Sequence, residues 1–148
     1  MLEKFWNEFR NYINDPNAVY DEAFHFELNK DAANYLLELV LSGKKTATSS
    51  SLLAYVLENE VVPQAGGYSI VTDWDGVPYC VIETTRVSII SYKDMTYDIV
   101  KLEGEDDSLE SWQRNHEKFF KAEGDIMGYK FNDEMPVVFE EFKVVYKR

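Results

Sequence analysis

The sequence predicts an α+β fold, and three observations predict it. Apolar residues recur at helical spacing through the N-terminal stretch, the pattern switches to alternation at Tyr68, and a long alternating run closes the chain over residues 137–146. At 148 residues, the chain is expected to form one domain with a real core, and it shows no repeat, linker or low-complexity tract.

Each element has its own signal. Leu2, Phe5, Trp6, Phe9, Tyr12 and Ile13 share one face of a first helix, about residues 2–14, which Asn14-Asp15-Pro16 ends. Residues 23–28 alternate loosely and read as extended, and Asn29 can cap the next helix, about 31–42. That helix carries Ala33, Leu36, Leu37, Val40 and Leu41 on one face, with Gly43 where a helix commonly turns left-handed. Leu52, Leu53, Val56 and Leu57 suggest a short helix, broken by Pro63 and Gly66-Gly67. Residues 68–74, an Asp75-Gly76 turn and residues 77–91 give the best hairpin signal in the chain. The stretch 79–90 is long enough to bend or split, as a strand does in a barrel; within it, Glu83 faces solvent or lines a cleft. Residues 95–101 read as a helical turn. Asp107 or Ser108 caps a helix bearing Leu109, Trp112, Phe119 and Phe120, with His116 on the same stripe and Gly124 as its stop. The final run after Pro136 is apolar enough to be a central strand.

Composition excludes several classes. Fifteen basic against 27 acidic residues give a formal charge of −12, which opposes binding to duplex DNA but leaves room for a nucleoside in a local basic pocket. No apolar run reaches membrane-spanning length and the N-terminus is amphipathic, so the expectation is a soluble, cytoplasmic protein with no membrane partner. One cysteine, Cys80, allows no disulfide framework and reads as a buried thiol. Two separated histidines and that cysteine make no recognisable ligand set, so no metal and no cofactor are expected. His25, between Phe24 and Phe26, reads as a packed, hydrogen-bonded histidine.

The densest chemistry lies in residues 42–51, where two lysines and six hydroxyls follow the apolar helix. In an extended chain the hydroxyls of Thr46 and Thr48 point one way and Lys45 the other, so a turn or bulge is needed to bring them together. A lysine beside a hydroxyl acts as a base or polarises an acyl oxygen when burial or a cationic neighbour such as Lys44 lowers its pKa. The bland reading is that paired lysines suit the negative end of a helix and that Ser/Thr clusters are common in loops. Likewise the acids around Glu103-Gly104-Glu105-Asp106-Asp107 are favourable before a helix N-terminus without any function. His116 has the intrinsic pKa for acid-base work, but its place on the apolar stripe favours packing.

Gly43-Lys44-Lys45-Thr46-Ala47-Thr48 resembles the Gly-x-Lys-x-x-Thr motif of the ASCH superfamily. Glu103-Gly104-Glu105 followed by Ser108-Leu109, Trp112, His116 and Phe119-Phe120 is similar to the pattern of its larger bacterial members, as are Phe5 and Trp6 and the terminal Val137-Val138, Glu140 and Phe142. The resemblance implies a PUA-like β-barrel flanked by helices over residues 1–148, with a cleft at 43–51 holding a nucleoside or short single-stranded RNA. In small ASCH amidohydrolases acting on N4-acetylcytidine, a lysine, a threonine and a glutamate form the catalytic group, which match Lys45, Thr48 and Glu105 here; the acidic string permits a slip to Glu103. Lys44, Thr46, Ser49, Ser50, Ser108, Trp112 and His116 are the expected ligand-binding surroundings. The longer N-terminal helix, Ser49-Ser50-Ser51 in place of a basic residue, and the Trp112/His116 helix depart from the small enzymes and leave the substrate open.

Three readings follow. In an amidohydrolase Thr48 attacks, Lys45 takes its proton and Glu105 orients the lysine or a water, although a nearby carboxylate disfavours a neutral lysine and better suits an oxyanion contact. In a non-catalytic RNA-binding module, Lys44 and Lys45 contact phosphate while Trp112 or Tyr55 stacks on a base. A ribonuclease, an activity of other relatives, would use Lys45 with a hydroxyl or His116. The hydrolase predicts a small pocket with Lys45, Thr48 and Glu105 within reach of one another, and the binding module an open groove with basic residues continuing beyond Lys45. Oligomeric state is left open.

Overall fold

A computed structural model describes residues 1–148, and its layers form where amphipathic helices cover a curled sheet. The elements run α1 (Leu2–Ile13), β1 (Glu22–Phe24), α2 (Lys30–Leu41), β2 (Ala47–Ser51), α3 (Leu52–Leu57), β3 (Tyr68–Thr72), β4 (Pro78–Ser91), α4 (Tyr97–Val100), α5 (Leu109–Met127) and β5 (Pro136–Lys147). The five strands make a half-barrel in the order β1-β3-β4-β5-β2, with β1 parallel to β3 and every other pairing antiparallel. The edges, β1 and β2, are therefore short strands from the N-terminal third of the chain.

Two register breaks between β4 and β5 account for the curl. Thr84 pairs with Phe142 and Arg86 with Glu141, leaving Thr85 as an extra residue on β4, and Val145 is an extra residue on β5 between Val81–Tyr146 and Ile82–Val144. Such bulges bend a strand and sharpen its twist. The long strand expected over 79–90 therefore bends without splitting. Glu83 stands opposite Lys143, 3.9 Å from its ammonium, on the solvent side.

Three apolar clusters hold the layers together. Phe5, Trp6 and Phe9 of α1 bury against Ile70 and Val81, and the Trp6 indole N–H donates to the Ala18 carbonyl at 3.0 Å. Leu36, Leu37 and Val40 of α2 pack on Val71, Cys80, Ile82 and Phe142. Trp112 and Phe120 of α5 meet Tyr92, Val137 and Phe139. Burial pushes the Cys80 thiol up to about 12, so it sits in the core as an unreactive group. No helix is long and apolar enough to cross a membrane.

Several expected boundaries move, each for a local reason. The hairpin connection is longer than two residues: β3 stops at Thr72, and Asp73 Oδ1 accepts from the N–H groups of Asp75 and Val77, which rounds the turn before β4. β5 lies between β4 and β2, so it is interior, while β4 occupies the middle. Only residues 22–24 of the N-terminal extended stretch pair as strand. His25 is exposed, though its Nδ1 lies 3.0 Å from the Phe26 carbonyl oxygen. Gly124 does not stop α5, which runs to Met127 and ends at Gly128 in left-handed backbone. Gly124 is there for proximity: a Cβ on it would lie 2.4 Å from the Tyr129 carbonyl oxygen, where the chain folds back on the helix.

Candidate functional site

The site begins where two segments cross. Past α2, the N–H groups of Lys44 and Lys45 both donate to the Leu39 carbonyl, at 2.9 and 3.0 Å. The chain then ties to residues 101–105, Thr46 N–H and Oγ1 both donating to the Leu102 carbonyl. Gly104 makes the crossing feasible: its φ is +71°, and a Cβ there would lie 2.1 Å from the Lys44 carbonyl oxygen. Glu103 and Glu105, on either side of that glycine, are thereby both brought to Lys45.

Lys45 is only 2% exposed. Its Nζ donates to the Ala47 carbonyl at 2.8 Å and to Glu105 Oε2, and lies 3.5 Å from Glu103 Oε1. Two hydrogen-bond acceptors and a second carboxylate close by make a setting that suits a charged donor rather than a free amine. That setting disfavours a Lys45 that takes a proton from Thr48 and better suits an oxyanion contact.

Glu103 is the hub behind it. At 1% exposure, it accepts from Trp112 Nε1 at 2.7 Å and from Ser49 Oγ at 2.8 Å, with His116 Nε2 at 3.3 Å. Burial alone would raise its pKa, but the charges of His116 and Lys45 and the hydrogen bonds from His116 and Trp112 hold it below the usual carboxylate range. For His116, burial opposes the charged form, yet the Glu103 carboxylate and its hydrogen bond raise the imidazole above its ordinary value. Its Nδ1 meets the Trp112 carbonyl at 3.0 Å and its ring stacks on the indole at 4.3 Å, so both ring nitrogens face acceptors, as in an imidazolium. Glu105 has the opposite balance: burial and the Glu103 charge outweigh Lys45 and raise its pKa.

These groups open onto a cleft of about 360 Å³ between the edge strands, with α3 and α5 contributing further walls. Phe24, Tyr55 and Phe119 give it ring surface, and eight of its 24 lining residues are glutamates. Lys45 is the only lysine or arginine among them. Glu140 of β5 is 7% exposed and accepts from Thr84 Oγ1 at 2.6 Å; burial raises its pKa despite that bond. Glu22 of β1 is pushed to about 7, by burial first and then by Glu60 and Glu140.

Of the residues singled out in the sequence, Lys45, Thr48, Glu105, Ser49, Ser50 and His116 line this cleft. Thr48 pairs in register with Glu140, which puts the two side chains on one face of the sheet as cross-strand neighbours, and it makes no hydrogen bond to Lys45 or Glu105. Lys44 and Thr46 are exposed and lie outside the cleft. Ser108 caps α5, its hydroxyl accepting from Ser111 N–H at 3.1 Å. Trp112 is fully buried, so it offers no face to a base and serves to hold Glu103 and His116. The acceptors that sequence reasoning missed are Glu22 and Glu140. Glu140 had a signal, since it shares a strand face with Val138 and Phe142; Glu22 had none.

A family model described as "ASCH domain" matches residues 22–146. Among solved structures, an ASCH domain from Lactobacillus crispatus is 36% identical, with a TM-score of 0.84, covering 98% of this chain and 91% of its own. Protein EF3133 from Enterococcus faecalis is 34% identical, with a TM-score of 0.90, covering 98% and 90% respectively. The hypothetical protein PH0355, 16% identical with a TM-score of 0.52 over 85% of this chain and 98% of its own, shares the fold alone. No curated protein matches.

Proposed function

Because this chain belongs to the ASCH domain family, which suggests nucleic-acid-type ligands in general, we propose that its cleft binds a nucleoside and hydrolyses an N4-acylcytidine-type amide. The observation that carries this reading is the contact of Lys45 with Glu105 on the wall of a cleft that also presents Thr48 and stacking surface from Tyr55 and Phe119. Its volume falls in the range of small-molecule sites. The N-terminal helix is part of the same unit, since Phe5, Trp6 and Phe9 complete the core against the sheet.

The chemistry divides between an electrophilic contact and a proton carrier. A substrate carbonyl oxygen enters between Lys45 Nζ and Glu105, takes one of the lysine's hydrogen bonds and releases the carboxylate. Water attacks the carbonyl carbon and its proton passes to Glu105, while the ammonium stabilises the oxyanion. As the C–N bond breaks, Glu105 returns the proton to the exocyclic nitrogen, giving a carboxylic acid and the amine. The raised pKa of Glu105 suits a group that must hold a proton between two steps. Thr48 borders the reacting centre from β2. Non-catalytic RNA binding fits less well, because no basic residue continues the cleft beyond Lys45. A ribonuclease that uses His116 fits less well, because both nitrogens of that ring are engaged.

The experiment is release of acetate and cytidine from N4-acetylcytidine by the purified protein beside Lys45→Ala and Thr48→Ala. Wild-type turnover reduced by about 100-fold or more in Lys45→Ala is expected, the usual effect of removing an oxyanion contact. A folded wild type without turnover ends the hydrolase reading for this substrate.

A further inference from the structure

The cleft contains a group that the reaction above does not use. Glu140 is 7% exposed, yet only one of its carboxylate oxygens has a partner in the chain, the Thr84 hydroxyl. The other has none, and the residue lines the cleft beside Thr48, its cross-strand neighbour. That second oxygen is not sealed off from solvent, so it opens onto the cleft, where an N–H of a ligand can take the place of water. Glu22, Glu58 and Glu60 also line the cleft, in which Lys45 is the only lysine or arginine. Lys45 already hydrogen-bonds Ala47 and Glu105 and lies 3.5 Å from Glu103.

We propose that Glu140 reads an N–H donor of the ligand and that the glutamates of this cleft admit nucleosides while excluding their phosphorylated forms. This rests on the nucleoside reading above and names the form of nucleoside that the cleft accepts. Carboxylates accept from the exocyclic amine of cytosine, and an N4-acyl derivative retains one such N–H. A phosphate, by contrast, is bound by arginine, lysine or a helix N-terminus. Here it would meet the glutamates on several walls, and the one lysine of the lining, Lys45, is engaged with the reacting carbonyl. The same arrangement disfavours an RNA strand threaded through the cleft, because each added nucleotide brings another phosphate.

The test is calorimetric titration of the full-length protein with cytidine and with cytidine 5′-monophosphate at low ionic strength, repeated with Glu140→Gln and Glu140→Leu. Cytidine is expected to bind at least tenfold tighter than the monophosphate, with the gap narrowing as salt screens the glutamates. Glu140→Gln, which keeps an acceptor and removes the carboxylate, is expected to narrow the gap between cytidine and the monophosphate; Glu140→Leu, which removes the acceptor, is expected to weaken cytidine about tenfold. A monophosphate that binds as tightly as cytidine overturns the proposal while leaving acetate release from N4-acetylcytidine, and so the hydrolase reading, intact. If neither cytidine nor N4-acetylcytidine binds, both readings fall. The two wild-type titrations decide phosphate exclusion even where a variant does not fold.

Discussion

Glu103 and Glu140 are the same residue type, buried to 1% and 7% exposure on the wall of one cleft, and their carboxyl groups are driven in opposite directions. Burial raises both. Glu103 also has an indole N–H, a hydroxyl, an imidazolium and an ammonium around it, whereas Glu140 has one hydroxyl and further acids. The contrast teaches that partner supply, not depth, decides which way a buried carboxyl's pKa moves. Glu103 is a fixed anion that organises Lys45, His116 and Trp112. Glu140 has binding capacity left for a ligand.

The largest effect should come from cancelling the fixed anion. Glu103→Gln preserves shape but leaves the Lys45–His116 pair of cations with only Glu105 nearby, and losing one member of a buried charge network costs about 3–5 kcal/mol. Urea unfolding should show a lower midpoint at unchanged slope. Because the folded pKa of Glu103 lies below its unfolded value, this stabilisation is present at neutral pH and is lost as pH falls through the folded pKa. A loss below about 1 kcal/mol would mean that the anion is incidental. A smaller effect isolates a single donor: Trp112→Phe removes the indole N–H from Glu103, and a hydrogen bond to a charged group is worth about 1.5–3 kcal/mol. The same unfolding curves read it, and a change no larger than that of a surface substitution would place the indole's value in packing alone.

How much of this was legible depends on which partners lie close in sequence. Apart from β2, whose residues read as extended only conditionally, the order of helices and long strands followed from local periodicity, and the caps at Asn29 and Ser108 formed as their side chains imply. Gly124 misled because a glycine needed for close approach looks the same in sequence as one that ends a helix. The pairing of Lys45 with Glu105 spans 60 residues and came from a motif resemblance, not from periodicity. Glu103 was visible only as an alternative register, since nothing local shows that it meets Ser49, 54 residues away. Thr48 could be placed on a strand, but its neighbour depends on the β2–β5 register, which sets it beside Glu140.

The smallest effect probes the other end of the contrast. Glu22 is more than a third exposed, and its pKa is raised to about 7 by burial and by Glu60, Glu140, Asp21 and Glu58. A folded pKa above the unfolded value of 4.5 means that its contribution to stability is full below 4.5 and is lost as pH rises toward about 7. Solvent screening at so open a position limits the loss to about 1 kcal/mol. Glu22→Gln should therefore flatten the stability profile between these pH values, and the wild-type minus variant difference separates this residue from the other raised carboxyls and from His116. Parallel wild-type and variant profiles would show that Glu22 titrates as a solvated side chain. The acidic end of the cleft would then begin at Glu140, which is 7% exposed and has one carboxylate oxygen without a partner in the chain.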